Sequence, residues 1–281
     1  MTDFLAQVVA SRREYVREAK ARRPVEHLLI ETRERRGAPA QFVRRLRDRM
    51  HLGQLAVIAE VKRTSPAMGT LAGAGLSAAE QALRYEAAGA TAISVLTEPR
   101  FWGGSLDDLK EVCAAVTIPV LCKDVIVDEY QIVEAAAAGA DAVLLIAEAL
   151  DDLEIRSLRR RAESFGMTVV VEAHETVAFG RAVASGALIV GVNARDLRDP
   201  KQIDIGRARQ LHTFVREQQI LVAESGIGSV DDARLLPSRV DAVLVGTALM
   251  RADDPAPLIR GLAAIRRTRP HDRTTITVIE R

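Results

Sequence analysis

The sequence predicts an α/β protein, a (β/α)8 TIM barrel with an N-terminal helical extension. Three observations carry that prediction. Eight short apolar runs rich in β-branched residues recur, their starts about 21 to 36 residues apart. Most intervals hold one amphipathic stretch, such as SAAEQALRYEAAGA, DEYQIVEAAAAGA or ETVAFGRAVASGA. Gly89, Gly139 and Gly186 follow these three stretches just before the next apolar run, where a left-handed residue ends a helix.

In order, the runs are LAVIAEVK (55–62), TAISVLT (91–97), IPVLCKD (118–124), DAVLLIA (141–147), MTVVVEA (167–173), LIVGVN (188–193), ILVAES (220–225) and DAVLVG (241–246). Each is apolar throughout rather than alternating, as parallel strands covered on both faces are. A doubly wound open sheet is the alternative reading. Residues 1–50 precede the first run, look helical and Arg-rich, and form an extension that packs on the barrel or caps one end. The helix PAPLIRGLAAIRR completes the eighth unit; the tail, residues 266–281, is left unassigned within one domain of residues 1–281.

Composition excludes several function classes. With 48% hydrophobic residues the chain can bury a sizeable core, and its net charge of +1 gives no global field for nucleic acid or an anionic membrane. Cys113 and Cys122 have no CxxC or His-rich companion, against both a disulfide scaffold and a zinc site. The N-terminus is too interrupted by charge for a signal peptide, and no run approaches the roughly 18 apolar residues of a membrane span. The expectation is a soluble cytoplasmic protein, a monomer or weak homo-oligomer, with a small phosphorylated molecule as partner and neither nucleic acid nor membrane.

Barrel chemistry sits at the C-terminal ends of the strands, and the polar residues gather there. The first run ends in Glu60 and Lys62, which share a face because the side-chain period of a strand is two. The third ends in Lys123 and Asp124, the fifth in Glu172, the sixth in Asn193 with Arg195 just after, and the seventh in Glu224 and Ser225. Of the 39 basic residues 34 are Arg and five are Lys, yet Lys62 and Lys123 both stand at strand ends. Arg does not give up a proton in practice, whereas a partly buried Lys can serve as a tunable acid. Asn193 is the only Asn in the chain. Asp124 and Glu224 alternate with Lys123 and Ser225, so period two turns them to the opposite face, where they hold loops or pair with helices.

Ser225-Gly226 and Gly246-Thr247 close the last two runs, and backbone amides there make the usual barrel phosphate site. GAGLSA (73–78) imitates a dinucleotide fingerprint but lacks a strand directly before it. Trp102, past the second run and beside two glycines, suits either a core anchor or an aromatic substrate contact.

The segments AEVKRTSP, SVLTEPRFWGGSLDDL, LCKDVIVDEYQIVEAAAAGADAVLLIA, VEAHE, GVNARDL, VAESGI and VDAVLVGTALMRADDP resemble indole-3-glycerol phosphate synthase in order and spacing, over about residues 5 to 260. The resemblance implies a barrel with a helical extension over the active site and no metal or organic cofactor. It implies ring closure of 1-(2-carboxyphenylamino)-1-deoxyribulose 5-phosphate, with loss of carbon dioxide and water, in tryptophan biosynthesis. In its terms Lys123 is the general acid, Glu172 the base and Lys62 a second acid, with Glu60 holding the lysines and setting their pKa values. Asn193, Arg195 and Ser225 contact the substrate's hydroxyls and carboxylate. Pro66, Trp102, Leu144 and Leu197 line the aromatic ring, with Ser65 among the substrate contacts, and Gly226, Gly246, Thr247 and Lys62 take the phosphate.

Ala67 and Met68, Val125, Ala194 and Thr247 depart from the family's usual residues. None of them removes a proton-transfer group, and such drift would suit a paralogue serving a specialised pathway. Two other readings stay open: another phosphate-binding barrel enzyme acting on a related aminoketose phosphate, and a catalytically weak binding or scaffolding paralogue.

Overall fold

Eight parallel strands close into a barrel in the computed structural model, which describes residues 3–32, 40–66, 69–70 and 75–267. They are β1 (Ala56–Val61), β2 (Ala92–Leu96), β3 (Val120–Lys123), β4 (Ala142–Ile146), β5 (Thr168–Ala173), β6 (Ile189–Asn193), β7 (Ile220–Glu224) and β8 (Ala242–Val245). Each of the eight apolar runs holds one of them. The strands pair in chain order, and β8 returns to β1 through Ala56↔Ala242 and Ile58↔Leu244. That closing pair rules out the open sheet.

Period two sorts the side chains into two shells. Outward residues such as Val57, Ala59, Val95 and Val171 pack beneath the surrounding helices, while inward ones such as Ile58, Leu121, Leu144 and Val222 fill the barrel. The strands are therefore buried on both faces, which is why their sequences do not alternate.

The helices after the strands are α4 (Ala78–Ala87), α5 (Pro99–Trp102), α6 (Leu106–Ala115), α7 (Glu129–Ala137), α8 (Asp152–Ser164), α9 (Thr176–Ala184), α10 (Arg207–Leu211), α11 (Val230–Arg234), α12 (Thr247–Arg251) and α13 (Ala256–Ala263), numbered from the N-terminal α1 (Phe4–Arg22), α2 (Val25–Glu31) and α3 (Gln41–His51). Gly89, Gly139 and Gly186 take φ of 94°, 94° and 83°, the left-handed conformation expected of them. Ser77 and Glu80 form a reciprocal capping box at the start of α4, so the LSAAE part of the glycine-rich stretch is a helix start and not a nucleotide fingerprint. Residues 73 and 74 of that stretch lie outside the described residues.

The extension serves both ends of the barrel. Phe42, Val43 and Leu46 of α3 share one apolar cluster with Ala56, Ala92, Ala142, Ile189, Ile220 and Ala242, the first residues of six strands, and so close the N-terminal end. α1 lies at the opposite mouth. The Phe4 N–H donates to the Arg198 carbonyl past β6, and the Phe4 ring meets Phe101 and Trp102 edge-on at 5.1 and 5.8 Å. Arg12 makes a buried 2.8 Å ion pair with Asp124, Tyr15 donates to Glu134 and Lys20 pairs with Asp128, which fastens α1 along the β3–α7 side. Of the tail, Arg266 bridges to Gln54 and Arg267 donates to the Ala233 and Leu236 carbonyls; residues 268–281 lie outside the described residues.

Candidate active site

A cavity of about 420 Å³ opens at the C-terminal ends of the strands. Every candidate residue except Ser65 lines it, although these residues come from all eight βα units. The side chain of Ser65, like Ala67 and Met68, lies outside the described residues.

The floor is a network of charges. Lys62, one residue past the end of β1, places its Nζ 2.8 Å from Glu60 Oε1. Lys123, at the inward end of β3, donates to Glu172 Oε2 at 2.9 Å and to Glu224 Oε2 at 2.6 Å. Asn193 Nδ2 reaches Glu172 Oε1 at 3.4 Å, while Asn193 Oδ1 accepts from Ser225 Oγ at 2.8 Å and from the Arg195 N–H at 3.0 Å. Glu60 therefore holds Lys62 directly, whereas the partners holding Lys123 are Glu172 and Glu224. Glu60 reaches Lys123 through its charge and not through a direct bond.

Glu224 corrects the strand-end reading. Ile220, Val222 and Glu224 form the inward face of β7, since Ile220 and Val222 belong to the barrel interior and Leu221 and Ala223 to the outer shell. Ser225, the residue used to set the register, has left the strand: its φ is 66°, and that left-handed turn brings its hydroxyl back to the cavity. Asp124 behaves as expected, with Arg12 of α1, Thr97 Oγ1 and the Val125 N–H all donating to its carboxylate.

Burial and proximity set the protonation states. Burial alone would depress the Lys123 ammonium, but Glu172, Glu224 and Glu60 outweigh it and raise its pKa, so the amine stays charged. Glu172 also suffers from burial, yet Lys123 and the hydrogen bonds from Glu224, Lys123 and Asn193 hold its carboxyl below the ordinary range. For Glu224 burial and the neighbouring Glu172 charge win, pushing it up to about 8. The trio thus holds an ammonium, a carboxylate and a carboxylic acid at neutral pH. Burial likewise lowers the Arg195 guanidinium, which donates to the Pro200 carbonyl.

A proton that only the folded chain retains makes stability pH-dependent. Below the ordinary carboxyl value of 4.5 both folded and unfolded chains protonate Glu224; from there to about 8 only the folded chain does. Its contribution is complete at low pH and fades as pH rises through 8. The melting temperature of the wild type relative to Glu224→Gln is expected to fall across that window. A calorimetric pH series checks this, and a constant difference contradicts it.

Two glycines make room for the carboxylates. A Cβ on Gly191, in the middle of β6, would lie 2.4 Å from Glu224 Oε1 and 3.1 Å from Glu172 Cβ. A Cβ on Gly246 would lie 2.2 Å from Glu60 Oε1. Gly246→Ala is therefore expected to displace Glu60 from Lys62, lowering stability by about 1–3 kcal/mol and turnover at least tenfold. Thermal melts and steady-state kinetics of that variant test it.

Apolar walls complete the cavity. Pro66, Trp102, Leu144 and Leu197 form a slot with Leu96, Val125 and Ile146, while Gly226, Gly246 and Thr247 form the end between β7 and β8. Trp102 is held through α5, because the buried Glu98 carboxylate accepts from the backbone N–H groups of Arg100, Phe101 and Trp102.

Comparison with known proteins decides the lineage of this arrangement. The family model described as indole-3-glycerol phosphate synthase matches residues 5–262. The chain belongs to the indole-3-glycerol phosphate synthase family. Proteins bearing that family's name include one from Nocardioides sp., 50% identical over 75% of this chain and 80% of its own, and one from Polaromonas naphthalenivorans, 39% identical over 91% and 96%. Among solved structures, tryptophan synthase subunit alpha from Legionella pneumophila superposes with a TM-score of 0.60 at 12% identity, covering 81% of this chain and 98% of that one. At that identity the likeness concerns the fold alone.

Within the indole-3-glycerol phosphate synthase family pattern, three departures fall in described residues. Val125 is a buried part of the slot wall, Ala194 is buried, and Thr247 begins α12 at the cavity's end. Sequence reasoning passed over Glu98, Glu148, His174 and Gly191. Pro99 marks the first position of a helix and so points to Glu98 before it, and a glycine inside a strand signals close approach, so two of the four had a usable signal. Glu148 and His174 act through contacts between separate loops, and nothing in the linear pattern marks them. Among the described residues no helix is long and apolar enough to cross a membrane, and no group of His, Cys, Asp and Glu could hold a metal ion.

Proposed function

We infer that the protein closes the pyrrole ring of 1-(2-carboxyphenylamino)-1-deoxyribulose 5-phosphate, releasing carbon dioxide and water and yielding indole-3-glycerol phosphate. The observation that carries the reading is the Lys123 ammonium held between Glu172 and Glu224 at one end of an apolar slot, in a chain of this family. The aromatic ring sits against Trp102, Leu144 and Leu197. Backbone groups of Gly226, Gly246 and Thr247, with Lys62, take the phosphate. Arg195 meets the substrate carboxylate, and Asn193 and Ser225 the hydroxyls.

Ring carbon attacks the ketone carbon as Lys123 gives a proton to the carbonyl oxygen. The carboxylate leaves as carbon dioxide and its bonding pair restores the aromatic ring. Lys62 then protonates the hydroxyl, which departs as water, while Glu172 removes a proton from the adjacent carbon. One proton is taken up overall, because a carboxylate becomes neutral carbon dioxide. Glu172 can hand its proton straight back to Lys123 across their 2.9 Å contact. The apolar slot favours the carboxylate-to-gas step, since it solvates the departing charge poorly.

The chain acts as one barrel domain over residues 1–281, soluble in the cytoplasm, as a monomer or weak homo-oligomer. Its loop departures suit a specialised-pathway paralogue. Incubation with the carboxyphenylamino substrate tests the activity: indole fluorescence is expected to rise, whereas turnover without it would favour an aminoketose isomerase. Soluble protein with neither outcome would favour a binding role.

A further inference from the structure

Asn193 links four parts of the site, and what fixes it lies outside the cavity. With Asn193 Oδ1 occupied by Ser225 and Arg195, its amide hydrogens face Glu172. Its carbonyl oxygen stands 2.8 Å from Nδ1 of His174, just past β5. The other ring nitrogen, Nε2, is 3.2 Å from Arg207 Nη2 on α10. A carbonyl only accepts and a guanidinium only donates, so the ring is neutral, with its hydrogen on Nδ1 and its lone pair on Nε2. The backbone N–H groups of His174 and Glu175 both donate to Glu148 Oε1, at 2.7 and 2.8 Å, which locks the ring's own backbone. His174 is 8% exposed, and neither it nor Glu148 nor Arg207 lines the main cavity.

We propose that His174 is a positioning residue: held in its Nδ1–H tautomer by Arg207, it fixes the Asn193 carbonyl and through Asn193 the orientation of Glu172. The inference rests on the reading of Glu172 as the base. His174 itself touches no substrate and acts on Glu172 through Asn193, so the effect falls chiefly on kcat, with a smaller change in KM through the hydroxyl contact of Asn193.

Two neutral substitutions separate positioning from mere packing. His174→Asn places an amide donor where Nδ1 stands and can still bond the Asn193 carbonyl. His174→Gln places its amide near Nε2, where it can accept from Arg207 but cannot reach that carbonyl. The expected result is kcat within about threefold of wild type for His174→Asn and a roughly ten- to hundredfold loss for His174→Gln, with KM changing by much less than kcat in both. Equal losses in the two variants, wild-type kcat in His174→Gln, or a loss confined to KM would overturn the role. Should either variant fail to fold by circular dichroism, Arg207→Leu gives the second reading: it frees the tautomer, and kcat is expected to fall several-fold, with an unchanged kcat overturning the proposal. Wild-type turnover in the same assay keeps the two inferences apart, because an inactive wild type would instead overturn the proposed function.

Discussion

Lys123→Ala is expected to lower kcat by about 10³- to 10⁴-fold while KM changes far less. Two losses coincide in this variant. The carbonyl oxygen no longer receives a proton as the ring attacks, and two buried carboxyl groups lose the cation between them. Burial raises the Glu172 carboxyl and that ammonium is the chief influence holding it below the ordinary range, so without Lys123 the carboxyl rises and Glu172 is a poorer proton acceptor in its place. Protonation also limits the damage to the fold, because a neutral pair of carboxylic acids is far cheaper to bury than two charges. The variant is therefore expected to remain folded but inactive, with no recovery at higher pH. Lys123→Arg keeps the charge and not the chemistry, since a guanidinium does not release its proton, and is expected to lose nearly as much. Steady-state kinetics with a thermal melt of each variant check these outcomes. Near-normal turnover in Lys123→Ala would remove Lys123 from the mechanism.

Glu172→Gln is expected to separate the two halves of the reaction. Lys123 still has Glu224 at 2.6 Å, so protonation of the ketone and loss of carbon dioxide continue. Removal of the proton that completes the indole does not, and kcat for indole falls by about 10²- to 10⁴-fold. In a single turnover carbon dioxide should appear well before indole fluorescence, the interval marking an accumulated dihydroindole alcohol. Simultaneous slow appearance of both would assign Glu172 to the first half instead.

The residues of this site were partly legible in the sequence, for definite reasons. Strand period two put Glu60 and Lys62 on one face, and they pair at 2.8 Å. The scarcity of Lys singled out Lys62 and Lys123, and the single Asn marked Asn193, because composition registers what a chain retains against its own bias. The barrel itself followed from β-rich runs separated by Gly-capped helices. Glu224 was misplaced because the period was counted from Ser225, whose positive φ ends the strand geometry on which counting depends. Contacts across space had no linear trace: α1 reaching Asp124 through Arg12, and His174 reaching Asn193, each join elements that only closure of the barrel brings together.

A single turnover of the purified protein with 1-(2-carboxyphenylamino)-1-deoxyribulose 5-phosphate, following carbon dioxide and indole fluorescence in parallel, tests this mechanism most directly. One carbon dioxide per indole is expected in the wild type, both signals are lost together in Lys123→Ala, and carbon dioxide runs ahead of indole in Glu172→Gln. Consumption of the substrate by the wild type without release of carbon dioxide would contradict it.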